Sequence, residues 1–148
     1  MNAEYIRLCS IPAVQEKFRE GMGKVIPLCD RLVYNGIEFT PLEVKFFNDK
    51  GPKWWGVLMR HDIKILGEDW IPIKDCIRLP QVHDLNDEKR GLWGMVDWKR
   101  YSIAMGIDGM VKVYLRTAGY SALDGWDTPE LALLRALMHQ WNIKEMEG

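Results

Sequence analysis

Leu131, Leu134, Met138 and Trp141 recur at steps of three and four, and Leu133 and Leu137 widen the stripe they form. That spacing predicts an amphipathic helix with a broad apolar face. Its start is marked by three neighbouring residues. Thr128 is placed to cap the first orphan amides, Pro129 falls at the first helical position where no donor is missed, and Glu130 meets the positive end of the helix dipole. A helix with so much apolar surface must lie against something large, and a sheet is the expected partner.

The rest of the chain supplies strands. Two short helical pieces are expected between Asn2 and Arg19, with Ser10 as a cap, Pro12 just inside the second piece, and Gly21 and Gly23 ending it. Asn35-Gly36 between Arg31–Tyr34 and Ile37–Thr40 predicts a tight hairpin, because both turn positions need positive φ. Leu42–Phe47, a turn over 48–52 and Lys53–Arg60 extend this into a meander, with a short further strand over 62–66. Pro72 and Pro80 break regular structure, and Pro80 is expected to open a short helix through Leu85. Gly91–Gly106 is ambiguous: Leu92, Met95, Val96 and Lys99 have helical spacing, but Gly94 weakens it. Asp108-Gly109 turns into Met110–Arg116, an alternating strand. The expected fold is a single α+β domain over residues 1–148, an antiparallel sheet with helices packed on at least one face.

Bulk properties exclude several function classes. A chain of 148 residues that is 47% hydrophobic and 28% charged reads as an ordinary globular protein. A formal net charge of −1 gives neither the basic surplus of a duplex-DNA binder nor the acidity of a DNA mimic, so no duplex DNA is expected. Cys9, Cys29 and Cys76 are odd in number and form no paired motif, which favours free thiols. No signal peptide and no apolar run of membrane-spanning length is visible, so the expected compartment is the cytoplasm, without membrane association.

The chemistry-bearing residues form no catalytic or metal-binding motif. His61, His83 and His139 never pair with one another or with the cysteines at ligand spacing, so no metal and no cofactor is expected. Ser121 lacks the glycine frame of a nucleophile elbow, and no phosphate-cradling glycine loop is present. An enzyme would need a concave site with His61 or His83 beside a carboxylate.

Binding is better represented. Seven tryptophans exceed the ordinary needs of a core this size. Trp54, Trp55 and Arg60 share a predicted strand, on which adjacent residues face opposite sides. Trp98, Lys99 and Arg100 interleave aromatic and basic groups before Tyr101. Lys112 and Arg116 share a parity on the late strand, with Tyr114 between them. Aromatic faces beside cations suit stacked bases and phosphates, although each cluster taken alone is more simply read as core filling beside a solvated charge.

Glu4–Glu16, the step Trp70-Ile71-Pro72 leading into Leu79–Leu85, and Trp126–Ala136 resemble small proteins encoded in phages and prophages of Gram-positive bacteria, the last stretch being similar to the terminal helix of phage α-β-α sandwich proteins. The resemblance covers about a third of the chain and implies a phage accessory protein, many of which act against host defence. The expected function is a non-catalytic binding protein that engages a host protein or sequesters a small nucleotide signal, with a homo-oligomer compatible with that role. The alternatives are a small enzyme that degrades such a nucleotide and a structural or assembly accessory.

Overall fold

The first helix, α1, spans Ala3–Cys9, and its C-terminal end is closed by Ser10, whose hydroxyl donates to the Ile6 carbonyl at 2.6 Å. Ser10 therefore bonds backwards into α1 instead of capping the next helix. Pro12 does open that helix, α2 (Pro12–Met22), which runs past Gly21. The computed structural model describes residues 3–22, 31–47, 54–59, 70–72, 75–83, 91–116 and 121–144; for 21–22, 41–47, 54–59 and 70 the description is of the backbone alone. By internal contacts the chain divides into two compact units, residues 15–80 and residues 1–14 with 81–148.

In the unit 15–80, β1 (Arg31–Tyr34) and β2 (Ile37–Phe39) form the hairpin predicted from Asn35-Gly36, with φ of 50° and 80° at the two turn residues. β3 (Pro41–Phe47) pairs with β4 (Trp54–Met59), and β4 with β5 (Trp70–Pro72). The expected strand over 62–66 lies outside the described residues. β6 (Ile77–Leu79) returns to pair with β1. The meander is thus two three-stranded sheets, β2-β1-β6 and β3-β4-β5.

The free edge of β6 is closed by a side chain. Leu32 faces Arg78 across the β1–β6 pair, and antiparallel partners alternate between bonded and non-bonded positions. The backbone of Arg78 turns to Gln15 of α2: its amide donates to Gln15 Oε1 at 2.9 Å, and its carbonyl accepts from Gln15 Nε2 at 3.0 Å. Both residues are buried.

The unit built from both ends of the chain is organised around α4 (Pro129–Gln140). Leu131, Leu133, Leu134, Ala136, Leu137 and Met138 are all buried, so the helix is enclosed on more than one side. It packs against α1, against the single-turn helix α3 (Leu92–Met95), and against β8 (Val111–Leu115). β8 lies between β7 (Tyr101–Met105) and β9 (Ser121–Ala122), all antiparallel. Pro129 stands at the start of α4 as expected, but the Thr128 hydroxyl makes no cap bond; it is buried without a partner among the described residues. At the other end Asn142, at φ 59°, lets the Ile143 amide reach the Met138 carbonyl at 2.8 Å, a helix-ending motif.

The helical spacing over 91–106 extends for only one turn. Gln140 of α4 accepts from the Asp97 amide at 2.7 Å and donates to the Met95 carbonyl at 3.1 Å, which fixes the bend from α3 toward β7. No helix opens at Pro80 over the described residues 80–83. The chain is an α+β protein with antiparallel sheets. Among the described residues, no helix is long and apolar enough to cross a membrane.

Candidate functional site

The alternation of β7 and β8 separates two faces. Tyr101, Val111 and Val113 are buried toward α4, where the Tyr101 hydroxyl lies 2.8 Å from His139 Nδ1. The opposite face carries Lys112, Tyr114 and Arg116 from β8 and its continuation. Small residues stand across from the first two, Ala104 facing Lys112 and Ser102 facing Tyr114, while Arg100 stands across from Arg116, whose amide donates to the Arg100 carbonyl at 2.8 Å. Ala122 of β9 flanks Tyr114 on the other side. Small neighbours on both strands form a shallow trough beside the Tyr114 ring.

Trp126 closes one end of this trough. The next residue, Asp127, is held to β8 by paired bonds: its carbonyl accepts from the Val111 amide at 2.8 Å and its amide donates to the Val111 carbonyl at 3.0 Å. The Trp126 indole lies on Gly106; a Cβ there would stand 3.3 Å from two ring carbons, so glycine permits the close approach. Trp126 is 49% exposed, and with Ile107 and Met110 it borders an open cleft of about 390 Å³ at the hairpin tip. The Lys112 ammonium sits 5.8 Å from the Tyr114 ring centroid and 5.8 Å from that of Trp126. Such cation–π placements contribute about 0.5–1 kcal/mol each when exposed.

Charge pairing distinguishes this region. Arg7, Lys17, Arg19, Arg31 and Arg135 each meet a carboxylate. Lys99, Arg100, Lys112 and Arg116 meet none among the described residues. Arg116 spends its Nε on the Tyr101 carbonyl at 2.8 Å, which fixes the stem of its guanidinium.

The structure divides the clusters proposed from sequence. Tyr114 and Arg116 share the outer face of the sheet with Lys112. Trp98 is half-buried against Trp93, with ring centroids 4.4 Å apart, and its indole N–H donates to the Trp93 carbonyl at 2.9 Å. Lys99 is exposed in the turn before β7, and the Arg100 guanidinium lies 5.4 Å from the Tyr101 ring centroid, its residue holding the strand position across from Arg116. Trp54 and Trp55 lie on β4, and Arg60 lies outside the described residues. Trp126 is the site residue that sequence reasoning missed. Its only local sign is an aromatic held in the short loop between Gly125 and Pro129.

A second concavity, of about 200 Å³, is lined by Leu123, Asp124, Arg135, Met138, His139 and Ile143. His139 and Asp124 line this same concavity, His83 lies against Trp93 with ring centroids 5.5 Å apart, and His61 lies outside the described residues. Arg135 is held by Asp124 at 2.6 Å, Asp127 at 3.1 Å and Glu4 at 3.5 Å. Burial raises the Tyr101 phenol above its ordinary range. Among the described residues, no group of three or more His, Cys, Asp and Glu could hold a metal ion.

Compared with protein-family models, curated proteins and solved structures, the chain matches none.

Proposed function

We propose that the chain is a non-catalytic binding protein that holds a nucleotide-like ligand, a flat ring bearing negative charge, on the outer face of β7–β8–β9. The observation that carries the reading is the Lys112 ammonium between the Tyr114 and Trp126 rings, on a face whose cations have no carboxylate partner among the described residues. A ring stacks on an aromatic side chain whatever its sequence identity, and a phosphate takes the place of the missing carboxylate. The resemblance to phage and prophage accessory proteins supplies the setting: interception of a nucleotide signal of host defence in the bacterial cytoplasm.

The test is calorimetric titration with mononucleotides and short oligonucleotides, on the parent and on Tyr114→Ala and Arg116→Ala. Binding that weakens about tenfold in both variants, with unchanged circular dichroism, supports the reading. Absence of binding by every nucleotide at millimolar concentration would sink it. A second reading, a host protein as partner, is favoured by the exposed apolar tip of the hairpin, where Met105 is 78% exposed and Ile107 wholly so. That reading expects Ile107→Asp to abolish capture of a purified host partner while leaving nucleotide titrations unchanged.

A further inference from the structure

We infer that the ligand is not a single nucleotide but two linked nucleotides lying along β8, an inference that rests on the binding reading above. Aromatic and cationic groups alternate along this face: Trp126, then Lys112, then Tyr114, then Arg116. Two centroid distances of 5.8 Å place the rings at most about 12 Å apart, twice 5.8 Å, with the ammonium between them. Each ring is a stacking platform for one base. The group between two stacked bases is the phosphodiester that joins them, and Lys112 occupies that place.

Arg116 extends the pattern beyond Tyr114. Alternate strand residues stand roughly 7 Å apart, so Arg116 lies about as far past Tyr114 as Lys112 lies before it. A second phosphate, on the far side of the base that covers Tyr114, meets the Arg116 guanidinium. Beside Lys112 and Tyr114 the neighbouring strand offers only Ala104 and Ser102, which raise no side chain large enough to block the path, and Arg100 stands across from Arg116 at its far end. Trp126 is already fixed by Gly106 and by the Val111–Asp127 bridge, so its platform needs no ordering on binding.

The experiment compares thymidine monophosphate, the 5′-phosphorylated thymidine dinucleotide and a thymidine dodecamer by calorimetry. The dinucleotide is expected to bind about ten- to a hundredfold tighter than the monophosphate. In Trp126→Ala the dinucleotide should bind no more tightly than the monophosphate does to the same variant, with circular dichroism unchanged; a dinucleotide advantage kept in that variant overturns the inference. Lys112→Ala should lower the slope of log K against log salt by about 0.7, and Lys112→Arg should restore it. A dodecamer that binds at least as tightly identifies a single strand as the source of the linked pair; exclusion of the dodecamer identifies a free dinucleotide. Equal affinity for the monophosphate and the dinucleotide overturns the inference and leaves the binding reading intact, whereas absence of all nucleotide binding removes both.

Discussion

Gln15 closes the edge of β6 by presenting an amide where a neighbouring strand would present a peptide group, and its removal has a calculable cost. In Gln15→Ala the Arg78 amide and carbonyl lose bonds of 2.9 and 3.0 Å in a buried setting. A buried polar group left unpaired costs about 1–3 kcal/mol, so the two together cost about 2–4 kcal/mol once some water entry is allowed. With a urea slope of about 2 kcal/mol per molar, the unfolding midpoint should fall by about 1–2 M. Gln15→Leu separates hydrogen bonding from packing, because leucine refills most of the volume and offers no polar atom. Urea titrations followed by circular dichroism should show both variants destabilised, with leucine regaining only the packing part. A leucine variant as stable as the parent would refute the reasoning. It would mean that Gln15 contributes through volume, and that the Arg78 backbone tolerates losing its partner.

Two further effects follow from buried and paired groups. Burial pushes the Cys9 thiol from 9.0 up to about 12 and raises Tyr101 in the same direction. The unfolded chain loses these protons first, and the Cys9 contribution is fully present below pH ~9 and declines as pH rises toward about 12; urea midpoints for Cys9→Ala should show a shallower alkaline decline than the parent. Arg135→Met leaves Asp124 and Asp127 facing each other without their cation and should cost about 1–2 kcal/mol, partly recovered in 1 M salt, as thermal unfolding at two ionic strengths will show.

Sequence signals located the elements that depend on neighbours in the chain. The Asn35-Gly36 and Asp108-Gly109 turns, the Pro12 start of α2 and the apolar stripe of α4 are all local, and all are present. The elements not foreseen depend on distant partners. β6 exists because Ile77 and Leu79 meet β1, more than forty residues earlier. The helical spacing after Gly91 stops because Gln140 binds at Met95 and Asp97 from α4. The candidate site shows the same division. The shared parity of Lys112, Tyr114 and Arg116 was readable from strand alternation. Trp126 was not, because its placement requires the bridge from Asp127 to Val111 and the bare backbone of Gly106.

The contact between α1 and α4 bears on the order in which the chain can fold as it is made. Tyr5, Leu8 and Cys9 leave the ribosome about 120 residues before the start of the helix that helps to cover them. At about 5–20 residues per second, that delay is on the order of ten seconds. During it, the apolar side of α1 has no native cover from α4. The intervening unit makes its own hairpin from local turn signals and can begin folding meanwhile, so the unit carrying the candidate site is completed after it.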